Sequence, residues 1–281
     1  MKKIFPFFVI AAMAACEKPA DIQVDYEGDR IVVNSLMQED SVVYLRLTRS
    51  QPPGATVFPE IRNASVRLMA GNVPMDLRFR EIGGKGYYVS EMAATAGVKY
   101  QLEVSAAGLP AVTAEDTLPR RPLLREPFAQ EGGNRVKVYL SDKPGPDRYR
   151  IRLYKAKKLA DGRYVPAERR GYRFDPSYNN SFTDMITETY HESSLIPDER
   201  FDGREILVVF QTRQVLVKDE VLLLEVTGLT SASWQYLKSL ELQETVNGNF
   251  LGEPASVFTN VGKGYGIFAG VSVTYLEIPV K

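Results

Sequence analysis

Apolar and polar residues alternate with a period of two through much of residues 24–118. In "VVYLRL" (42–47), Val43, Leu45 and Leu47 share one side. In "MDLRFR" (75–80), the pattern turns Met75, Leu77 and Phe79 inward and leaves Asp76, Arg78 and Arg80 to solvent. "VKYQLEVS" (98–105) is the cleanest case, with Val98, Tyr100, Leu102 and Val104 alternating with Lys99, Gln101, Glu103 and Ser105. Successive side chains of a strand point to opposite faces, so this pattern predicts antiparallel strands with one buried and one wet face. "QPPG", "AGN", "IGGKG" and "AAGLP" fall between the runs and supply turn residues at short spacing.

Short strands punctuated in this way predict an all-β fold, beginning with an immunoglobulin-like β-sandwich over 24–118. The likeness is architectural, because the cysteine pair of immunoglobulin domains is absent. Three prolines and a charge cluster in "AEDTLPRRPLLREP" (114–127) mark a linker at 119–127. Beyond it "RVKVYL", "RYRIRLYK", "EILVVF", "VLLLEV" and the closing "VSVTYLEI" predict a second β-rich, sandwich-like domain over 128–281. One stretch changes period. In "TSASWQYLKSLELQ" (230–243), Trp234, Leu237 and Leu240 recur every three residues, with Thr230, Ser231 and Ser233 available as caps, which predicts a single short helix.

"GKGYGIFAG" (262–270) holds four glycines and raises the question of a phosphate cradle. A phosphate loop needs Gly-Lys-Ser/Thr leading into a helix, whose N-terminus holds the anion. Here Lys263 precedes Gly264, and the next element is the terminal strand. The glycines are therefore expected to serve a turn and the close docking of the last strand. No cofactor is expected.

The 281 residues are 44% hydrophobic and 25% charged, enough chain to bury a core without metal or disulfide staples. Lys plus Arg and Asp plus Glu both number 35, so no global field points to nucleic acid. The N-terminus is a different kind of segment. Lys2 and Lys3 are followed by the apolar run "IFPFFVIAAM", then Ala14 and Ala15, then Cys16, the only cysteine. This is the layout of a secretory signal over 1–15, and the run is short of the ~18 residues a spanning helix needs. Cys16 after Met13-Ala14-Ala15 resembles the lipobox of bacterial lipoproteins, although Met13 replaces the usual Leu. That resemblance implies acylation of Cys16, a tether over 16–23 and an outer-membrane location, since Glu17 is not the Asp of an inner-membrane retention signal. Several acyl chains give stable anchoring at ~0.8 kcal/mol per buried methylene.

Candidate chemistry is sparse. His191 is the only histidine, which excludes imidazole-pair metal motifs and reads as a loop residue. "FDPSYNNSFTD" (174–184) and "DERFDG" (198–203) gather oxygen ligands that could hold calcium, but neither has EF-hand spacing. No catalytic constellation is identified, so a non-enzymatic role is expected. The charge distribution says more. Residues 120–175 carry 16 Lys/Arg against 7 Asp/Glu, and residues 176–281 carry 7 against 14. "DRYRIRLYKAKK" (147–158) would align Arg148, Arg150 and Arg152 on one strand face, with Tyr149, Ile151 and Leu153 turned to the core. Such a row can bind phosphate or carboxylate groups bidentately, and it could equally pair with the acidic C-terminal strands. It is the candidate interaction patch.

"RIVVNSLMQEDSVVYLRLTRSQPP", "IRNASVRLMAGN", "GYYVSEMAATAGVKYQLEVSAAGLPAVTAEDTLP", "SWQYLKSLELQ" and "FTNVGKGYGIFAG" occur in that order. Together they resemble the domain of unknown function 4249 family, lipoproteins of certain Gram-negative bacteria, over nearly the whole mature chain. The resemblance implies an N-terminal sandwich followed by a second β-rich domain. Because such proteins are often encoded beside TonB-dependent outer-membrane transporters, it also implies an accessory role with such a transporter as partner. It carries no catalytic residues with it. An envelope hydrolase using loop carboxylates, or a free-standing glycan- or lipid-binding protein, remains the alternative.

Overall fold

The computed structural model describes residues 26, 28–52, 54–179, 189–247 and 256–281. The signal segment 1–15, Cys16 and the tether 16–23 lie outside these. The chain forms β1 (Ile31–Gln38), β2 (Val42–Arg49), β3 (Ser65–Ala70), β4 (Val73–Met75), β5 (Leu77–Ile82), β6 (Lys85–Ala93), β7 (Lys99–Ser105) and β8 (Val112–Thr117). It continues through β9 (Leu123–Ala129), β10 (Arg135–Ser141), β11 (Arg148–Lys158), β12 (Tyr164–Arg169), β13 (Tyr172–Phe174) and the one-turn helix α1 (Pro176–Asn179). Last come β14 (Ser194–Pro197), β15 (Glu205–Thr212), β16 (Val221–Leu229), the helix α2 (Ser231–Asn247) and β17 (Tyr265–Pro279).

The fold is all-β. One nine-stranded sheet runs β12-β11-β16-β17-β1-β2-β6-β5, with β14 also paired to β11. Two four-stranded sheets, β4-β3-β7-β8 and β13-β15-β10-β9, complete the architecture. Ile31, Val33, Leu45, Leu47, Tyr100 and Leu102 fill the first core, and Val138, Ile151, Leu153, Phe174, Phe210 and Leu224 fill the second. The alternation in β7 is met, with Tyr100, Leu102 and Val104 buried.

β17 belongs to both halves. From Tyr265 to Val271 it pairs parallel with β1, and from Val271 to Pro279 antiparallel with β16. Phe268 enters the first core and Ile278 the second. These even-numbered positions lie on one face of the strand, so both small sheets cover the same side of the long one. Residues 256–271 of the expected second domain therefore help build the first sandwich, and β9 begins inside the expected 119–127 linker. That segment is pinned to β17: the Ser272 hydroxyl donates to the Pro119 carbonyl at 2.5 Å, and the Thr274 hydroxyl to the Pro122 carbonyl at 2.7 Å.

Where β17 has β1 on one edge, side chains finish the other. The Asn260 carboxamide accepts from the Phe268 amide at 3.1 Å and donates to its carbonyl at 2.7 Å, standing in for a strand residue. The Gly270 amide donates to Asp116 Oδ2 at 2.9 Å, and the Ser233 hydroxyl donates to the Gly270 carbonyl at 3.0 Å. Buried backbone groups left unpaired would cost as much as lost hydrogen bonds, so this edge depends on three side chains from distant parts of the chain. Thr230 and Ser233 also cap α2 reciprocally: the Ser233 amide donates to Thr230 Oγ1 and the Thr230 amide to Ser233 Oγ. Thr230 Oγ1 donates in turn to Asp116 at 2.6 Å. Burial pushes the Asp116 carboxyl above its ordinary value, opposed by these hydrogen bonds.

One expectation is corrected. "MDLRFR" is two strands, not one: β4 lies in a four-stranded sheet, whereas β5 is the edge of the long sheet. Met75 is buried, but Phe79 is 36% exposed because an edge strand has a neighbour on one side only.

The glycines of 262–270 have the mechanical role expected. Gly266 has φ of +93°, and a Cβ there would sit 1.9 Å from the Val33 carbonyl oxygen. At Gly270 a Cβ would lie 2.8 Å from Leu118 Cα. Gly266→Ala should therefore lower unfolding free energy by about 3 kcal/mol or more, since strain and a backbone clash combine. Gly270→Ala, where only the close approach is violated, should cost about 1–3 kcal/mol. Urea denaturation of both variants checks the order.

Candidate functional site

The Arg148, Arg150 and Arg152 row lies on one face of β11, with Tyr149, Ile151 and Leu153 buried on the other. The row does not stand fully open to solvent: of the two readings the sequence left, pairing with an acid of the C-terminal strands is the one seen for Arg150 and Arg152. Antiparallel pairing with β16 sets Glu225 opposite Arg152 and Thr227 opposite Arg150. Glu225, the single acid in "VLLLEV", is 1% exposed. Its Oε1 accepts from Arg152 Nε at 2.8 Å, Thr227 Oγ1 at 3.1 Å and Arg150 Nη2 at 3.4 Å. Its Oε2 accepts from the hydroxyls of Tyr275 at 3.1 Å and Tyr154 at 3.4 Å. A carboxylate so buried is tolerable only when paired and hydrogen-bonded. Burial, then the Glu225 charge, pushes the Tyr275 hydroxyl up to about 12, so it remains a donor. Arg150 and Arg152 thus serve an internal ion cluster. Arg148 is partly exposed and forms no ion pair among the described residues, which makes it the member of the row best placed for an outside partner.

The 198–203 segment meets a loop the sequence did not connect to it. Carboxylate oxygens of Asp142, Asp198 and Asp202 lie within 4.8 Å of one another. Each already holds the opposite loop: Asp142 accepts from the Gly203 amide and from the Tyr149 hydroxyl, Asp198 from the Asp147 amide, and Asp202 from the Gly145 amide. As it stands, the arrangement is a clasp between two turns. Burial, then the charges of Asp142, Asp198 and Asp202, raises the Asp147 carboxyl. Burial is also the main cause of the raised Asp198 carboxyl.

Of the other oxygen-rich loop, residues 180–184 lie outside the described residues. Within it, Asp175 is 1% exposed, pairs with Arg135 Nε at 2.5 Å and accepts from the Ser177 amide at the start of α1. Burial opposes its charge, but Arg135 and Ser177 outweigh that and hold the carboxyl below its ordinary value. His191 is half-buried and bridges Tyr172 through backbone hydrogen bonds in both directions.

Two grooves mark the first sandwich. One, of about 600 Å³, lies on the β3–β7–β8 sheet among Arg67, Met69, Gln101, Glu103, Thr113 and Asn260. The other, of about 650 Å³, lies on the outer face of the long sheet among Val32, Asn34, Arg46, Thr48, Phe58 and Tyr265. Sequence periodicity did not single out either, because their walls come from strands and loops distant in the chain. Glu225 did carry a signal: it is a lone acid in a run otherwise apolar.

These features define a protein of two β-sandwiches sharing one long sheet, with polar clusters that bind its parts together. The chain belongs to the family described as a domain of unknown function (DUF4249), whose model matches residues 17–277. No curated protein matches it. No helix of the described residues is long and apolar enough to cross a membrane.

Two outcomes test the site. Arg152→Ala should destabilise the fold by about 3 kcal/mol by leaving buried charge uncompensated, whereas Arg148→Ala should stay within about 0.5 kcal/mol; chemical denaturation distinguishes them. The acidic clasp gives a pH dependence. With carboxyl values raised in the folded state, the native chain holds more protons than the unfolded one between the ordinary Asp range and the raised values. Stability therefore falls as pH rises through that window. Asp147→Asn should raise the melting temperature at neutral pH and flatten that fall, as thermal melts at neutral and mildly acidic pH would reveal.

Proposed function

We propose that this chain is a non-enzymatic lipoprotein, held on the outer membrane by acyl groups on Cys16, that acts as an accessory or ligand-capture partner of a TonB-dependent transporter. The observation that carries this reading is positional. The family match opens at residue 17, one residue beyond the lone cysteine that follows the signal-like segment. The matched region thus follows the candidate anchor. The two grooves support a binding role, because their volumes fall in the range of clefts that take a small ligand.

Arg148 is the residue of the basic row that can be reversed without disturbing Glu225. Cys16→Ser should release the protein from the membrane fraction and abolish co-purification of a barrel protein in mild detergent. Arg148→Glu should retain anchoring, weaken recovery of that partner and make the remaining complex more salt-sensitive. If membranes containing the anchored protein give no barrel partner even after cross-linking, the chain is a free-standing binding protein instead. If the Cys16→Ser variant resists a high-salt wash, the anchor itself is refuted.

A further inference from the structure

The groove on the outer face of the long sheet has an apolar rim. Val57 is 73% exposed, Phe58 53% and Tyr265 46%. Leu36 and Tyr44 extend the apolar surface along the same face of β1 and β2, at 44% and 45% exposure. Single exposed apolar residues need no explanation, but several on one face mark a contact surface. The position of this surface in the chain identifies what it meets. Arg30, immediately before β1, exchanges hydrogen bonds with Ser50: the Arg30 amide donates to Ser50 Oγ at 2.8 Å and the Ser50 amide to the Arg30 carbonyl at 2.9 Å. The Arg30 guanidinium lies 5.9 Å from the centre of the Tyr265 ring. The chain therefore enters the fold beside the groove, against two residues that line it.

We infer that this groove rim, led by Val57, Phe58 and Tyr265, is a bilayer-contact surface that rests on the phospholipid headgroup and acyl boundary. The inference rests on the anchored reading above. Cys16 and Tyr26 are ten residues apart in sequence, so the connection spans at most about 35 Å even fully extended. An acyl anchor at Cys16 would keep the entry end of the first sandwich within that distance of the lipid. Tyr rings with one apolar and one wet end, and exposed apolar side chains on the connection between β2 and β3, suit that boundary. A contact of this kind would restrict the tumbling of the tethered protein and fix which side of the double sandwich faces a neighbouring barrel.

The experiment supplies the anchor chemically, so that its result does not depend on whether cells acylate Cys16. The chain from residue 16 is coupled through its only thiol to a maleimide-bearing phospholipid in vesicles of phosphatidylethanolamine and phosphatidylglycerol. Trp234, the only tryptophan, is replaced by Phe, and Phe58→Trp is introduced as the reporter, with Val57→Trp as a second variant should the first fold poorly. Leu123→Trp, exposed on the second sandwich, is the control. Brominated acyl chains in the vesicles should quench the reporter at 58 or 57 and shift its emission to shorter wavelength, while leaving position 123 unchanged. Equal emission with and without bromine at 58 and 57, or equal quenching at all three positions, overturns the inference. Since the anchor is present by construction, that failure would leave the lipoprotein reading intact. Conversely, membrane release that does not follow Cys16→Ser would refute the lipoprotein reading whatever the vesicles show.

Discussion

The structure depends most on how β17 satisfies its two edges. A strand cannot leave buried amides and carbonyls unpaired, and β17 finds partners for them in different halves of the chain. β1 pairs with its first half and β16 with its second, with Val271 aligned to both. Beyond the reach of β16, Asn260, Asp116 and Ser233 complete the edge. The last fifteen residues of regular structure thus join what would otherwise be two separate sandwiches. The glycines preceding and within the strand follow from the same constraint, since β17 approaches the β1 backbone and the 118–119 segment too closely for a Cβ.

One buried acid and one partly buried acid hold the rest of the joint. Asp116 sits where β8, the cap of α2 and β17 meet, and Glu225 sits where β11, β16 and β17 lie side by side. Each is desolvated, and each is surrounded by donors from more than one element. Such groups contribute little net stability compared with apolar replacements, yet removing a single partner is costly. Their effect is to make each local arrangement conditional on the others. The basic row on β11 is the clearest example: two of its three arginines are committed to an internal acid.

This commitment bears on how the protein can meet a partner. Two of the three charges that looked available in the arginine row are paired with a buried acid. Among the described residues, the two grooves of the first sandwich and the partly exposed Arg148 remain open. The first sandwich is also the half nearest the N-terminal cysteine in sequence.

Much of the fold was legible in the sequence because burial is periodic. The alternation of 98–105 gave β7 its inward Tyr100, Leu102 and Val104, the three-residue recurrence at Trp234, Leu237 and Leu240 marked α2, and the glycines of 262–270 marked a docked strand. Those signals are local, arising from the geometry of one element. What periodicity cannot encode is the neighbour on the other side of a hydrogen bond. "MDLRFR" alternates like a single strand, yet it divides between two sheets. The Arg148, Arg150 and Arg152 row faces the side predicted for it, but whether that side is open was decided by Glu225, more than seventy residues away. The acids of 198–203 were visible as a loop cluster, whereas Asp142 joined them only through the packing of two turns. The sequence by itself determined which residues of a strand or helix share a face. Only the tertiary structure decided which charges and strands they meet, because pairing between distant segments depends on how the whole chain closes.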